Sequence, residues 1–354
     1  MFNSLALPYV LVIFLAAAVA VWIAGIKLSN TTDVLSTRLG LGEALGGLIL
    51  LSVATNLPEI AITATAELAH NLEIAVGNLL GGIAIQTVVL ALLDAGQPRR
   101  NKPLTHQAAS LVLVIEGAVV IALLVVVVMG TLLPSSLIAF RVTPASVAIT
   151  LMWLLGLWLV GRTGAGLPWH ASGQAPGGQE RPRGHSKERK EERASRSGVS
   201  TPRAAVVFGA AAAVTLLGGI VLEQAGQGIA RHVGMSGVIF GATFLAGATA
   251  LPEVSTGLTS VRMRDYQLAV SDIFGGNAFL PVLFLLAVVL SGKAVLPAAH
   301  DTDVYLTGLG GLLTVIYILG LIFRPTRRIL RMGPDSLTVV FVYVLGMVGL
   351  SVVA

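Results

Sequence analysis

Two glutamates, Glu59 and Glu253, each follow a proline inside matching apolar segments, ATNLPEI at 54–60 and ATALPEV at 248–254. Thr55 and Thr249 lie four residues earlier, one helical turn away, so each carboxylate is expected to have a hydroxyl on its own face. Pro58 and Pro252 lack a backbone donor, which leaves the carbonyls four residues back, those of Ala54 and Ala248, without their helical partner. Two carboxylates, two hydroxyls and two loosened carbonyls are all hard oxygen donors. Calcium takes about 6–8 such oxygens, and sodium fewer. Neither segment contains a Lys or Arg to pair with its acid. A metal cation is the partner this oxygen set favours; the plainer reading is that the prolines only kink their helices and the glutamates pair with basic groups elsewhere.

A second matched pair, AVGNLLGG at 75–82 and AVSDIFGG at 269–276, supplies the opposing polar groups. Asn78 and Asp272 occupy equivalent positions one turn before the second glycine of each pair. Gln86 continues the Asn78 stripe and is matched by Leu280, while Asn277 follows the second glycine pair. Asp272 is expected to bind the cation or carry a proton, with an interhelical hydrogen bond as the plainer role. For Asn78, Gln86 and Asn277 a structural role and a binding role weigh evenly. Glu116 stands midway along another apolar run and is expected to make an interhelical hydrogen bond. Glu43 and Glu223 lie near segment ends and are expected to be solvated.

The elements that hold these residues must be membrane helices. Of 354 residues, 55% are hydrophobic and only 12% charged, with mean hydropathy +0.85, whereas soluble chains carry about a quarter charged residues. Apolar runs of about 20 residues cross a bilayer as helices. Ten are read, at 6–27, 41–66, 73–94, 105–131, 143–161, 204–224, 236–260, 267–292, 304–323 and 336–353. The first is kept as a helix because its leader, MFNSLALPY, lacks the basic residues of a signal peptide. Twenty of the 23 Lys and Arg fall in the odd-numbered loops, so these loops are expected on the cytoplasmic side and both termini outside. Residues 162–203, rich in Gly, Pro, Ser and charge, read as a disordered basic cytoplasmic linker between halves 1–161 and 204–354. There are no cysteines, which excludes disulfides and thiolate chemistry. Six histidines are scattered without a nucleophile–base arrangement, so an enzyme is not expected. The net charge of +5 sits in loops as a topology signal, and no nucleic-acid partner is expected.

Sliding the chain by 194 positions aligns 40–90 with 234–284 without a gap, with 15 of 51 pairs identical. Five helices separate the copies, so the second enters the membrane from the opposite side. Inverted repeats of this kind build secondary transporters, with substrate sites near the midplane where the copies meet. The fold class expected is an all-α membrane protein of ten transmembrane helices in two inverted five-helix repeats, with Glu59 and Glu253 close together about the midplane.

At TNLPE (55–59) and TALPE (249–253), then GNLLGGI (77–83) and SDIFGGN (271–277), the chain resembles the sodium/calcium exchanger family of the cation/calcium exchanger superfamily. The resemblance covers both repeats and the five-plus-five plan. It implies antiport of calcium against sodium, or against protons in some branches, with the motif glutamates Glu59 and Glu253 binding calcium and sharing in sodium binding. Thr55 and Thr249 are then neighbouring hydroxyl ligands. The chain departs from the family pattern where motif serines become Asn56, Ala250, Gly82 and Gly276, and where Leu280 replaces a polar residue. A reduced set of ion sites centred on Glu59, Glu253 and Asp272 is expected. The rival readings are a proton-coupled exchanger of calcium or another cation, such as sodium/proton exchange, and a degenerate exchanger serving as a membrane sensor or scaffold. No cofactor is expected beyond the transported calcium and sodium ions or protons. The partners are lipid and inorganic cations, in a prokaryotic plasma (inner) membrane. Helices 1 and 6, with the matched Gly25 and Gly219, are the candidate sliding elements.

Overall fold

The computed structural model describes residues 5–38, 50–68, 72–98, 102–163, 200–262, 264 and 266–353. The described chain is nearly all helical; two isolated bridges, Ala139 with Val142 and Ile329 with Met332, are its only β pairings. The first half contains α1 (Leu7–Arg38), α2 (Leu50–Thr55), α3 (Leu57–Leu68), α4 (Leu72–Gly96), α5 (Leu104–Ala108), α6 (Leu111–Thr131) and α7 (Pro144–Thr163). The second contains α8 (Thr201–Val233), α9 (Gly237–Phe240), a π-helical turn at Gly241–Leu245, α10 (Ala246–Thr249), α11 (Leu251–Arg262), α12 (Tyr266–Phe279), α13 (Leu283–Ser291), α14 (Asp301–Phe323) and α15 (Pro334–Val353). Among the described residues, eight helical stretches are long and apolar enough to cross a membrane. The bent pair Gly237–Thr249 and Leu251–Arg262, which turns through 43°, makes a ninth. The expected span at 41–66 enters the described residues only at Leu50, and Glu43 lies outside them. Nearly all of the expected linker lies outside them as well.

Several boundaries differ from the sequence expectation: α1 runs on to Arg38 rather than 27 and α8 to Val233 rather than 224, and two starts move for local reasons. The span expected at 105–131 starts instead at Leu111: α5 ends before the extended Ser110, whose hydroxyl accepts from Val112 N and caps a new helix. The span expected from 204 begins at Thr201, because Pro202 suits the first turn of a helix.

The two halves interleave rather than sit side by side. α1 lies along α8, and each also touches the broken helix of the other half: α1 packs on α11, and α8 on α3. α4 runs through the middle, 83% buried over its apolar stretch, while α7 and α15 lie at the periphery at 22%. A helix that is apolar all round belongs inside a bundle, and α4 packs against α9, α10, α11, α12, α14 and α15 of the second half.

Candidate cation site

Each proline breaks its helix two residues upstream, between α2 and α3 at Asn56 and between α10 and α11 at Ala250. The breaks follow from the missing N–H of Pro58 and Pro252 and the ring's clash with the preceding turn. Ala54 and Ala248 are buried beside them. A break inside a membrane helix is tolerated where it is covered by protein or lines a cavity. Here both breaks sit in the packed interior, and each puts its glutamate in the first turn of the following helix.

The break changes one expectation. Thr55 and Glu59, and likewise Thr249 and Glu253, no longer share one continuous helix face. The threonines lie near the acids of the opposite half, Thr249 beside Glu59 and Thr55 beside Glu253. Thr249 Oγ1 also lies 3.2 Å from the Ala246 carbonyl, a second acceptor for its single proton.

Glu59 is 1% exposed and Glu253 0%. Both oxygens of Glu59, and Oε2 of Glu253, meet no hydrogen-bond donor among the described residues. Gln86 Nε2 donates to Glu253 Oε1 at 3.5 Å, the outer limit of such a bond. Glu253 also feels the charges of both Glu59 and Asp272. A neutral donor to a charged acceptor is worth about 1.5–3 kcal/mol, whereas an ion removed from water costs several kcal/mol even after relaxation. One long amide bond therefore does not offset the charge of this cluster.

Asp272 is buried, and Thr256 Oγ1 lies 2.5 Å from its Oδ2 and 3.1 Å from the Glu253 carbonyl. Asn78 is fully buried, with both side-chain polar atoms lacking a hydrogen-bond partner among the described residues. Asn277 donates to Thr87 Oγ1 at 3.1 Å and leaves its Oδ1 unpartnered. Gly276 brings its backbone against Asn56 and Gln86: a Cβ there would lie 3.1 Å from Asn56 Nδ2 and 3.2 Å from Gln86 Oε1. At the matched position Gly82 faces Leu280 instead. The polar surroundings are thus lopsided, rich beside Glu253 and poorer beside Glu59. No three acidic or histidine side chains among the described residues close into a single metal-ligating cluster; the other oxygens near the two glutamates belong to hydroxyl, amide and carbonyl groups.

Glu116 accepts from Ser271 Oγ at 2.9 Å, the interhelical bond expected of it. Glu223 is not solvated as expected: it is 1% exposed and accepts a hydrogen bond from Gln227 one turn along α8. Thr256, Ser271 and Thr87 escaped sequence reasoning because the repeat singles out positions shared by both copies, and these face Ile62, Gly77 and Pro281. A helical wheel drawn from Glu253 would have found Thr256 three residues on.

The sequence profile described as "Sodium/calcium exchanger protein" matches residues 9–162 and 203–352. The chain belongs to that family. It is an integral, multi-pass membrane protein, and its family is one of cation exchangers, that is, of transporters. Among its relatives are the inner membrane protein YrbG of Escherichia coli (strain K12), 24% identical over 78% of each chain, and the CaxA protein of Alkalimonas amylolytica, an antiporter by its name, 27% identical over 75% of each chain. The fold is similar to that of the sodium-calcium exchanger NCX_Mj, with TM-score 0.61 and 14% identity over 97% of this chain and 99% of that one. It is also similar to that of the H+/Ca2+ exchanger CAX, with TM-score 0.65 and 13% identity over 97% of this chain and 82% of that one.

Proposed function

We propose that the protein is a secondary active cation antiporter that exchanges calcium for sodium by alternating access at a site between Glu59 and Glu253. In this reading the chain has ten transmembrane helices in two inverted five-helix repeats. Its halves, 1–161 and 204–354, are joined by a cytoplasmic linker at 162–203, and both termini lie outside. The observation that carries the reading is the crossed pair: two buried glutamates at proline breaks of opposite halves, each with the other half's threonine beside it and neither matched by a basic side chain among the described residues of the site.

Exchange follows from sharing. Calcium and its counter-ion neutralise the same two carboxylates, so occupancy by one favours release of the other. The empty site carries unpaired buried charge, which is expensive, so the protein resists changing its open side without cargo. Gln86, Asn78, Asn277 and the carbonyls at the helix breaks complete the oxygen set.

Proton coupling is the second reading, and one contact favours it. Thr256 has a single proton and two oxygen neighbours, Asp272 Oδ2 at 2.5 Å and the Glu253 carbonyl at 3.1 Å. A proton on Asp272, donated to Thr256 Oγ1, would free the threonine's own proton for the Glu253 carbonyl and satisfy both contacts. Calcium flux into sealed proteoliposomes separates the two readings. Flux driven by a sodium gradient and lost in Glu253→Gln supports sodium exchange. Flux driven only by a proton gradient moves Asp272 into the exchange step. No flux under either gradient from correctly inserted protein would overturn both.

A further inference from the structure

Glu59 is the first of three buried oxygen-bearing residues spaced by four along α3, the others being Thr63 and Glu67. A spacing of four places them on one helix face, one above the next. All three are buried, Thr63 at 0% exposure and Glu67 at 6%, and all three keep an oxygen with no hydrogen-bond partner among the described residues: both of Glu59, Oγ1 of Thr63 and Oε1 of Glu67. Thr63 is unusual. Buried helical threonines return their proton to a carbonyl one turn back, as Thr87, Thr215, Thr307 and Thr314 do at 2.7–2.8 Å, and Thr63 does not. Its hydroxyl is left to a ligand that α3 does not supply.

We propose that Thr63 and Glu67 form an access site for the transported cation, a ladder of oxygens leading from the C-terminal end of α3 down to Glu59. The proposal rests on the exchanger reading. A metal cation suits the ladder because carboxylate and hydroxyl oxygens replace its water in steps, one turn at a time. The matched positions of the second half carry no such track: Thr63 is matched by Gly257 and Glu67 by Val261. A Cβ on Gly257 would come within 2.4 Å of Leu93 Cδ1, so that space is filled by leucine. The ladder therefore serves one membrane face only. The nearest rival is a structural one, in which Glu67 simply balances the exposed Lys293, whose charge it feels without a close ion pair.

The chain has no native cysteine, so Thr63→Cys introduces the only thiol. In sealed vesicles it should react with a membrane-impermeant cationic methanethiosulfonate only from the face holding the C-terminal end of α3. It should react roughly tenfold faster than with the anionic reagent, because Glu67 concentrates positive charge. Adding Glu67→Gln should remove that preference. Failure of Thr63→Cys to react while the exposed Leu68→Cys does, or reaction indifferent to reagent charge, would overturn the ladder. In flux, Glu67→Gln should raise the half-saturating calcium concentration roughly three- to tenfold from that face and leave the opposite face unchanged, while Lys293→Gln lowers it. Equal losses in both variants without sidedness would mean that the pair is structural. A wild-type protein without calcium flux would overturn the exchanger reading, while the thiol reactions would still decide the ladder.

Discussion

Thr256 shows how much one hydroxyl decides at the residue scale. It ties the backbone of Glu253 to the carboxylate of Asp272, so the third acid is held next to the pair. A hydrogen bond to a charged group is worth about 1.5–3 kcal/mol. Thr256→Val is expected to weaken calcium binding roughly tenfold, the lower end of that range, while Thr256→Ser keeps it within about twofold; half-saturation of flux reads both. Much of this scale was legible beforehand. Glu59, Glu253, the two threonines and the two prolines stood out because an intramembrane acid without a base is costly and because both copies retain it. The crossing of threonines to the opposite acid was not legible. Local spacing assumes an unbroken helix, and the prolines end that helix between hydroxyl and acid.

Glycine contacts set the fit at the element scale. A Cβ on Gly25 of α1 would lie 2.7 Å from Pro252 Cβ, and one on the matched Gly219 of α8 would lie 2.8 Å from the Pro58 carbonyl oxygen. The two helices expected to slide thus rest on the two prolines that open the site. Gly219→Ala is expected to slow exchange at least roughly fivefold while leaving calcium half-saturation within about twofold, since real Cβ contacts do not reach such distances and the helices must shift apart. Comparable loss of affinity in that variant would place the defect in the site instead. The sequence showed these glycines as matched positions, but their proline partners depend on crossing angles, which no pattern of residue types contains.

The whole molecule is held together by contacts that trade between halves. Arg141, in the loop before α7, donates to the Val289 and Leu290 carbonyls at the end of α13, both at 2.6 Å. Arg328, in the loop before α15, donates to the Asp94 carbonyl at the end of α4, also at 2.6 Å. Both loops carry consecutive residues with positive φ, Phe140–Arg141 and Leu330–Arg331, a local likeness outside the 51-residue match seen in sequence. Asp94 is unfavourable for a helix C-terminus and is offset by Leu104 N, Gln97, Gly333 N and Ser336 at 2.6–3.1 Å. Asp94→Ala strands those donors, while Arg328 keeps its carbonyl bonds, and is expected to cost at least about 1–3 kcal/mol, read as lost thermal stability in detergent. Close by, in α5 and outside the spans, burial lowers the pKa of His106, with Lys102 and Arg324 acting the same way against its bond to the Arg324 carbonyl. A depressed imidazole pKa means the unfolded chain binds the extra proton, so stability is full above pH ~6.5 and falls as pH drops below it. His106→Asn should flatten that slope. The central claim, obligatory exchange through one shared pair of carboxylates, is tested most directly by counterflow. Vesicles loaded with radioactive calcium should release it only when unlabelled calcium or the counter-ion is supplied on the other side, and Glu59→Gln and Glu253→Gln should each abolish that release. Release without any trans cation, or undiminished release from either variant, would contradict it.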